Sequence, residues 1–218
     1  MHAGSLLKTA GRRIAVHWVA KMVGTTVAMS AFFAVYFWLL NHSRGSVTTV
    51  PRIWLDRMIP FQPWALALYA SLWVYVSLAP SLLVSGRALV SYAAAAVALS
   101  VAGFGVFILW PTTVPPPEVD PSHAGSLAFL KAVDASGNAF PSLHVAFAVF
   151  TAIWFERLLR EMGAGSLVRA VNWLWCAGIL YSTMATRQHV ALDVLAGAAL
   201  GAIVATAHMR WLGKIQPG

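Results

Sequence analysis

Two short stretches of this chain carry residue types that can do acid–base and phosphoryl chemistry. The first is Pro141-Ser142-Leu143-His144, and the second ends with His189 and Asp193. Both lie at the edges of long apolar segments, where ionisable side chains are costly and are retained mainly for function. His189 and Asp193 are four residues apart at the start of a predicted helix, so they share one of its faces. This spacing is typical of a histidine whose ring is oriented by a carboxylate.

These residue types predict a phosphoryl-transfer site. A carboxylate that accepts a hydrogen bond from one ring nitrogen of His189 fixes the tautomer and raises the basicity of the other nitrogen. Such a histidine can attack phosphorus and form a covalent phosphohistidine. His144 would protonate the leaving oxygen and later activate the incoming water or alcohol. Ser142 and backbone amides at the start of the next helix would hold phosphate oxygens, and Arg187 would bind them bidentately.

Two other uses of these residues stay open from residue types alone. Two histidines and one carboxylate can suffice as metal ligands, although no third histidine is clearly placed. Haem ligation between membrane helices is the other use, and it predicts histidines that pair across the middle of the membrane. Four further histidines are interpreted as packed or interfacial side chains: His2, His17, His42 and His208.

The elements that must position these residues are membrane helices. The chain has 218 residues, of which 59% are hydrophobic and only 10% are charged. A soluble domain carries about 25% charged residues, so this composition indicates a membrane protein. A helix needs about 20 predominantly apolar residues to cross the bilayer. Six uncharged segments reach or approach this length: 22–40, 64–85, 88–110, 139–155, 170–186 and 194–209.

We predict an all-α, polytopic membrane protein with six transmembrane helices in one bundle. With a cytoplasmic N-terminus, ten of the fifteen Lys and Arg residues lie inside, in agreement with the positive-inside rule. Residues 1–21 would form a cytoplasmic amphipathic lead-in, 22–211 the membrane domain and 212–218 a short cytoplasmic tail. Both motifs then gather at the outer, non-cytoplasmic face. Because the basic excess is a topology signal, the expected partner is the lipid bilayer and not nucleic acid.

Two outer connections and one pair of glycines carry further expectations. Residues 41–63 alternate apolar and charged side chains, which predicts a short surface helix. Residues 111–140 contain five prolines, so they cannot form one continuous helix and are typical of a lid or binding element. Gly197 and Gly201 are four residues apart on the last predicted span, which favours close packing inside the bundle over a dimer face.

Both motifs resemble those of one enzyme family. Pro141-Ser142-Leu143-His144 is similar to the PSGH element of the type 2 phosphatidic acid phosphatase superfamily, with leucine in place of glycine. Ser182, His189 and Asp193 have the spacing of its SRxxxxxHxxxD element. Membrane members of the family fold as six helices with both motifs at the outer face. The resemblance implies His189 as the nucleophile, Asp193 as its orienter and His144 as the acid and base.

The chain also departs from this family. Segment 134–144 resembles the branch that includes the inositol phosphorylceramide synthases and many bacterial lipid phosphatases. However, Thr183 stands where the second element has arginine, and residues 105–117 contain no Lys or Arg where the first element, KxxxxxxRP, would lie. A charge-poor site shifts the expected substrate toward diester or diphosphate lipids. Arg187 is the best substitute for the missing cations. The candidate substrate-binding residues are Ser142, Arg187, Ser182, Lys131 and Asn138.

Together these observations predict an integral-membrane lipid phosphatase that acts through a phosphohistidine. Its expected substrate is a lipid phosphate or diphosphate of the phosphatidic acid, phosphatidylglycerol phosphate or undecaprenyl diphosphate class. The alternative is a phospholipid head-group transferase, similar to phosphorylceramide synthases, that uses the same histidines. A non-hydrolytic haem-binding or transport protein ranks lower, because both motifs lie at one face. No cofactor or metal is expected. We expect a multi-pass protein of the bacterial inner membrane, with its site facing the periplasm or exterior.

Overall fold

Helices make up most of the computed structural model (77%), which describes residues 3–42, 46–116, 125 and 137–215. Two short strands, β1 (Thr48–Thr49) and β2 (Thr112–Thr113), pair in parallel. The prediction of a helical membrane protein is confirmed. The described part contains nine helices: α1 (Ala3–Ala15), α2 (Trp18–Asn41), α3 (Trp54–Met58), α4 (Ala65–Ala70), α5 (Leu72–Leu82), α6 (Gly86–Leu109), α7 (Leu143–Glu161), α8 (Ser166–Ala185) and α9 (Ala191–Ile215).

Four helical segments in the described residues are long and apolar enough to cross a membrane. They are α2, the α4–α5 pair (Ala65–Leu82), α6 and most of α9 (Ala191–Leu212). The other two predicted spans are also helices, α7 with 19 residues and α8 with 20. Their mean hydropathy is lower because α7 ends in four charged residues and α8 carries an arginine and an asparagine. All six predicted segments are helical, and the crossing of the membrane by α7 and α8 stays a prediction.

The helix that carries His144, α7, is the central helix of the bundle. It contacts α5, α6, α8 and α9, and eleven of its 19 residues are buried. By contrast, α2 buries only Lys21 and Leu39. A helix that is covered by other helices instead of lipid does not need an apolar surface all round. Its position therefore explains why α7 is less hydrophobic than α2 or α6.

Small residues bring α9 directly onto the start of α7. A side-chain carbon at Gly197 would overlap the carbonyl oxygen of Ser142, and one at Gly201 would overlap that of Ala146. Only glycine permits two backbones to approach this closely. The predicted intramolecular packing of the two glycines is confirmed, and it holds the first turns of α7 and α9 side by side.

The two outer connections are tied to each other and to the segment that precedes α7. The first connection contains α3, the predicted short helix, and its strand β1 pairs with β2 of the second connection. Thr112 accepts hydrogen bonds from the amide of Ala139 at its main-chain oxygen (3.3 Å) and from that of Phe140 at its hydroxyl (2.8 Å). The residues just before Pro141 are therefore fixed in place, and in the ends of this connection that the structure describes, 111–116 and 137–142, no helix forms.

Charged residues gather at the opposite end of the bundle. Glu156 of α7 forms ion pairs with Arg160 and with Arg169 of α8, both at 2.6 Å. The ammonium of Lys21 donates to main-chain oxygens in the last turns of α1 and α5, both at 2.7 Å. Cations are favourable at helix C-termini because the backbone carbonyls there carry partial negative charge. These contacts stabilise the end of the bundle that is remote from the two histidine motifs.

Candidate active site

The turn between α8 and α9 positions the second motif. The amide of Arg187 donates to the oxygen of Met184 (3.0 Å) and that of Gln188 to the oxygen of Thr183 (3.0 Å), which is a Schellman motif. The amide of His189 also donates to the Thr183 oxygen, at 3.1 Å. Arg187 has φ 61°, the left-handed conformation that glycine usually adopts at this position. Such backbone strain in a non-glycine residue is concentrated at functional sites.

Asp193 lies in the first turn of α9 and faces His189. Its Oδ2 atom is 3.5 Å from Nδ1 of His189 and accepts a hydrogen bond of 3.0 Å from the amide of Val190. The Asp193 side chain is fully buried, whereas that of His189 is 12% exposed. The two side chains are at ion-pair distance, and a small rotation of the ring would form a hydrogen bond. The arrangement leaves Nε2 as the nitrogen of His189 that is directed away from the carboxylate.

His144 lies in the first turn of α7 between two aromatic rings. Its ring stacks on that of Tyr69 with 4.0 Å between centroids and meets Trp73 edge-on at 6.0 Å. One ring nitrogen hydrogen-bonds to the backbone of Tyr69, and the buried Nε2 has no hydrogen-bond partner among the described residues. The aromatic rings fix the plane of the imidazole, and the bond to Tyr69 determines that Nε2 is the nitrogen left to exchange protons.

The two motifs meet because α7 and α9 begin side by side. The amide of Ser142, two residues before His144, donates to the main-chain oxygen of Asp193 at 3.1 Å. The Ser142 hydroxyl accepts from the amide of Val145 (3.3 Å) and caps α7. The three predicted catalytic side chains therefore lie at one end of the bundle, together with the partial positive charge of the α7 N-terminus.

The predicted substrate-binding residues lie in different environments. The guanidinium of Arg187 donates from Nη1 to the main-chain oxygen of Asp56 at 3.3 Å. Asn138 is 5% exposed and has φ 50°. The hydroxyl of Ser182 donates to a main-chain oxygen of its own helix at 2.6 Å, so it is already engaged there. Lys131 lies outside the described residues.

Several of these side chains present buried polar atoms that lack a partner. Folded proteins pair nearly all of their buried polar groups, so a group of unpaired ones calls for an explanation. A site that receives a polar ligand provides one for the atoms that face the ligand, whereas Nδ1 of His189 faces Oδ2 of Asp193 at 3.5 Å. Among the described residues, such atoms of predicted site residues include Nδ2 of Asn138, Nε2 of His144, Nδ1 of His189 and Oδ1 of Asp193.

Sequence reasoning missed three residues that shape the site, namely Asp56, Tyr69 and Trp73. Asp56 is only 4% exposed, and its carboxylate accepts hydrogen bonds from the amides of Ile53 and Ala191, both at 2.7 Å. The alternating pattern of its segment predicted a short surface helix, which does not indicate a buried carboxylate. The small number of acidic residues, seven in the whole chain, was the sequence feature that could have drawn attention to Asp56. The two aromatic residues gave no signal, because aromatic side chains are common in membrane helices.

The geometry also bears on the metal and haem alternatives. In the part of the chain that the structure describes, no group of three or more His, Cys, Asp or Glu side chains is placed to hold a metal ion. His144 and His189 begin two neighbouring helices at the same end of the bundle, whereas haem ligation between spans required a pair across its middle.

Known protein families provide an independent comparison. The model of the PAP2 superfamily matches residues 86–217, which begin at the first residue of α6 and include both motifs. Members of this superfamily are generally phosphatases and related phosphotransferases. No curated protein and no solved structure matches the chain. Because the matched range covers more than half of the chain and confirms the resemblance of its motifs, this helical membrane protein belongs to the PAP2 superfamily.

Proposed function

We propose that the protein hydrolyses a lipid phosphate or diphosphate of the phosphatidic acid, phosphatidylglycerol phosphate or undecaprenyl diphosphate class. The reaction would proceed through a phosphohistidine at His189. One observation carries this proposal: His144, His189 and Asp193 lie at one end of the bundle, where Asp193 faces Nδ1 of His189 at 3.5 Å and the buried Nε2 of His144 has no partner in the described part. Membership of the PAP2 superfamily supports a reaction of the phosphatase or phosphotransferase type.

In the first step, Nε2 of His189 attacks phosphorus while the bond to the lipid oxygen breaks. Asp193, 3.5 Å from Nδ1, stabilises the positive charge that develops on the imidazole. The electron pair of the broken bond stays on the leaving oxygen, which takes a proton from Nε2 of protonated His144. The products are a phosphohistidine and a lipid alcohol, or a lipid monophosphate when the substrate is a diphosphate.

In the second step, neutral His144 removes a proton from water, and the resulting oxygen nucleophile attacks phosphorus. The phosphorus–nitrogen bond breaks, its electron pair returns to Nε2 of His189, and inorganic phosphate leaves. Both histidines are then in their starting states, and one water has been consumed. The bond from His144 to the backbone of Tyr69 keeps the same ring nitrogen, Nε2, in use for both proton transfers.

The phosphate must be bound by positively charged or hydrogen-bond-donating groups, and the site has few cations. The N-terminus of α7 supplies a partial positive charge and the amides of Leu143 and His144, since those of Ser142 and Val145 already donate to Asp193 and Ser142. Arg187 supplies a guanidinium. The N-terminus of α9 is less available, because two carboxylates already bind its first amides, those of Val190 and Ala191. The unpartnered Nδ2 of Asn138, in the segment that leads to Ser142, is a further donor for a phosphate oxygen.

A head-group transferase that uses the same histidines is the second candidate. Thr183 in place of the family arginine and the lack of Lys and Arg in residues 105–117 favour it. A charge-poor site binds a bare phosphate monoester less well than a diester, which carries less charge. In this reaction a phosphoryl-alcohol unit is held on His189, and a lipid hydroxyl takes the place of water in the second step. No inorganic phosphate is released.

The proposed orientation puts the site at the outer face of the membrane. The opposite end carries the ion pairs of Glu156 and the basic helix α1, and the positive-inside rule assigns such an end to the cytoplasm. Exposed Lys8 and Arg12 and the apolar side chains of α1 suit a helix that lies along that surface. In a bacterial inner membrane, six crossing helices would then direct the site toward the periplasm or exterior.

The proposed function predicts that detergent-purified protein releases inorganic phosphate from at least one of the three substrate classes. The measurement is free phosphate over time with phosphatidic acid, phosphatidylglycerol phosphate and undecaprenyl diphosphate, together with mass spectrometry of the lipid products. A transferase would release no phosphate but would form a new phospholipid from a diester donor and an added lipid alcohol. If well-folded protein catalyses neither reaction, the proposal is wrong.

Arg187→Gly is expected to weaken substrate binding without weakening the fold. Glycine adopts φ 61° without strain, so removal of the arginine side chain should leave the temperature of unfolding unchanged or higher. Loss of a charge-assisted phosphate contact should raise KM by about 10-fold or more, with a smaller effect on kcat. The matched control is Arg57→Gly, which removes an exposed cation from α3. An unchanged KM in Arg187→Gly would show that another group binds the phosphate.

A further inference from the structure

Asp56 connects the first outer connection to the segment that carries the nucleophile. Its Oδ2 accepts from the amide of Ile53, the residue that caps the start of α3, and its Oδ1 accepts from the amide of Ala191, the first residue of α9 (both 2.7 Å). Its main-chain oxygen accepts from Nη1 of Arg187 at 3.3 Å. Asp56 therefore contacts both ends of the five-residue segment 187–191, whose central residue is His189.

The burial of this carboxylate indicates that the contact is specific. An ionised carboxylate is expensive to remove from water unless hydrogen bonds compensate for the lost hydration. At Asp56 each carboxylate oxygen receives a main-chain N–H, and the one from Ala191 belongs to the positive N-terminus of α9. Both hydrogen bonds of the buried carboxylate therefore form only when α3 and the start of α9 keep one relative position.

Apolar packing holds α3 in the same place independently of the carboxylate. Ile53, Leu55 and Ile59 pack on a buried cluster that includes Val145 of α7 and Ala191 of α9. Removal of the charge at position 56 should therefore leave α3 docked and change only the segment that its hydrogen bonds hold. A local change of this kind separates positioning of the site from stability of the whole bundle.

We propose that Asp56 is a positioning residue that holds His189 and Arg187 in their working geometry; this inference rests on the proposed function. Asp56 touches no reacting atom and acts through the start of α9 and through α3. It lies outside residues 86–217, the range that matches the superfamily model. The first half of the chain therefore completes a site whose two motifs lie in the second half.

The test is Asp56→Asn in the full chain, with Glu156→Gln as the matched control. Asparagine has nearly the same shape, but its amide cannot accept from both N–H groups, so the bond to Ala191 or the bond to Ile53 is lost. Hydrogen exchange followed by mass spectrometry should show faster exchange in a peptide covering residues 187–195 and unchanged exchange in residues 200–210. The control removes a buried carboxylate at the opposite end of the bundle and should leave both peptides unchanged.

Kinetics supply the second readout. We expect kcat of Asp56→Asn to fall by about 10- to 100-fold, the range seen at metal sites when a residue that orients a ligand is lost. In the double variant Asp56→Asn/Arg187→Gly, the fold-loss in kcat/KM should be smaller than the product of the two single fold-losses, because both residues act on one segment. A purely structural role would instead lower the yield of folded protein and leave kcat per folded molecule and the 187–195 exchange as in the wild type. That result would overturn the inference.

A second variant removes the same hydrogen bond from its other side. Ala191→Pro deletes the amide at the first position of α9, where proline is compatible with a helix, and leaves Asp56 in place. It should reproduce the faster exchange and the lower kcat of Asp56→Asn. If the wild type and Glu156→Gln release no phosphate from any lipid, the proposed function fails, and the exchange data still decide whether Asp56 holds the segment. If they release phosphate while Asp56→Asn and Ala191→Pro match them, only the positioning role fails.

Discussion

His189→Ala is expected to abolish phosphate release while the protein remains folded. The His189 side chain is only 12% exposed, but it lies at the end of the bundle and outside the buried apolar clusters of the described residues, so its truncation should change the temperature of unfolding only slightly. Solvent cannot replace a covalent nucleophile, and we expect turnover to fall by more than about 10³-fold. The measurement is free-phosphate release from the best lipid substrate by equal amounts of folded wild type and variant.

The covalent intermediate distinguishes a nucleophile from a residue that merely binds phosphate. Rapid quenching of wild type with a radiolabelled lipid phosphate should trap protein-bound phosphate that is labile in acid and stable in alkali, as a phosphoramidate bond is. His189→Ala should trap none. The control is His42→Ala, which removes an exposed histidine stacked on Trp38 and should behave as the wild type does. Protein-bound phosphate in His189→Ala would assign the nucleophile to another residue.

Local spacing and apolar runs were enough to predict much of this architecture. A separation of four residues places His189 and Asp193 on one face of a helix in any fold, and the structure brings Asp193 Oδ2 to 3.5 Å from Nδ1. Gly197 and Gly201 predicted a close helix contact for the same reason, because their spacing already defines one stripe of α9. Each of the six apolar segments contains helix, and four of them are long and apolar enough to cross a membrane, since length and hydropathy are properties of a segment by itself.

Features that depend on contacts between segments far apart in the chain could not be predicted from local spacing and apolar runs. Asp56 looked like a surface charge, and only the docking of α3 against the start of α9, 135 residues along the chain, makes it buried. The left-handed conformation of Arg187 arises from the Schellman motif that ends α8, where sequence patterns would favour glycine. The stacking of His144 between Tyr69 and Trp73 likewise depends on how α4 and α5 pack against α7.

The hydropathy of α7 shows how the two kinds of information combine. The composition of α7 is too polar for a lipid-facing span, and the sequence alone would therefore argue against a membrane helix. In the bundle, however, four helices cover it, and the residues that lower its hydropathy lie in its last turns, beside the partners that pair with them. A less apolar central helix is therefore the expected consequence of covering a helix with other helices instead of lipid.

His144→Asn is expected to slow the hydrolysis of lipid phosphates by roughly 10²- to 10⁴-fold, the usual contribution of a general acid or base. Asparagine fits between Tyr69 and Trp73 and can still donate to the backbone of Tyr69, so the fold should be retained. The role of His144 as an acid can be separated from its role as a base by the choice of leaving group. An alkyl oxygen needs a proton to depart, whereas an aryl oxygen of low pKa does not.

An aryl phosphate should therefore restore the first step in His144→Asn but not the second. The variant should release about one equivalent of the phenol in a rapid burst, accumulate phosphohistidine at His189, and then turn over slowly, because no base activates the water. His42→Ala should show neither the burst nor the accumulated intermediate beyond wild-type levels. If the variant loses the same factor with alkyl and aryl substrates and shows no burst, then His144 acts before the phosphorus–oxygen bond breaks, by binding or orienting the substrate, and the proton must come from another group.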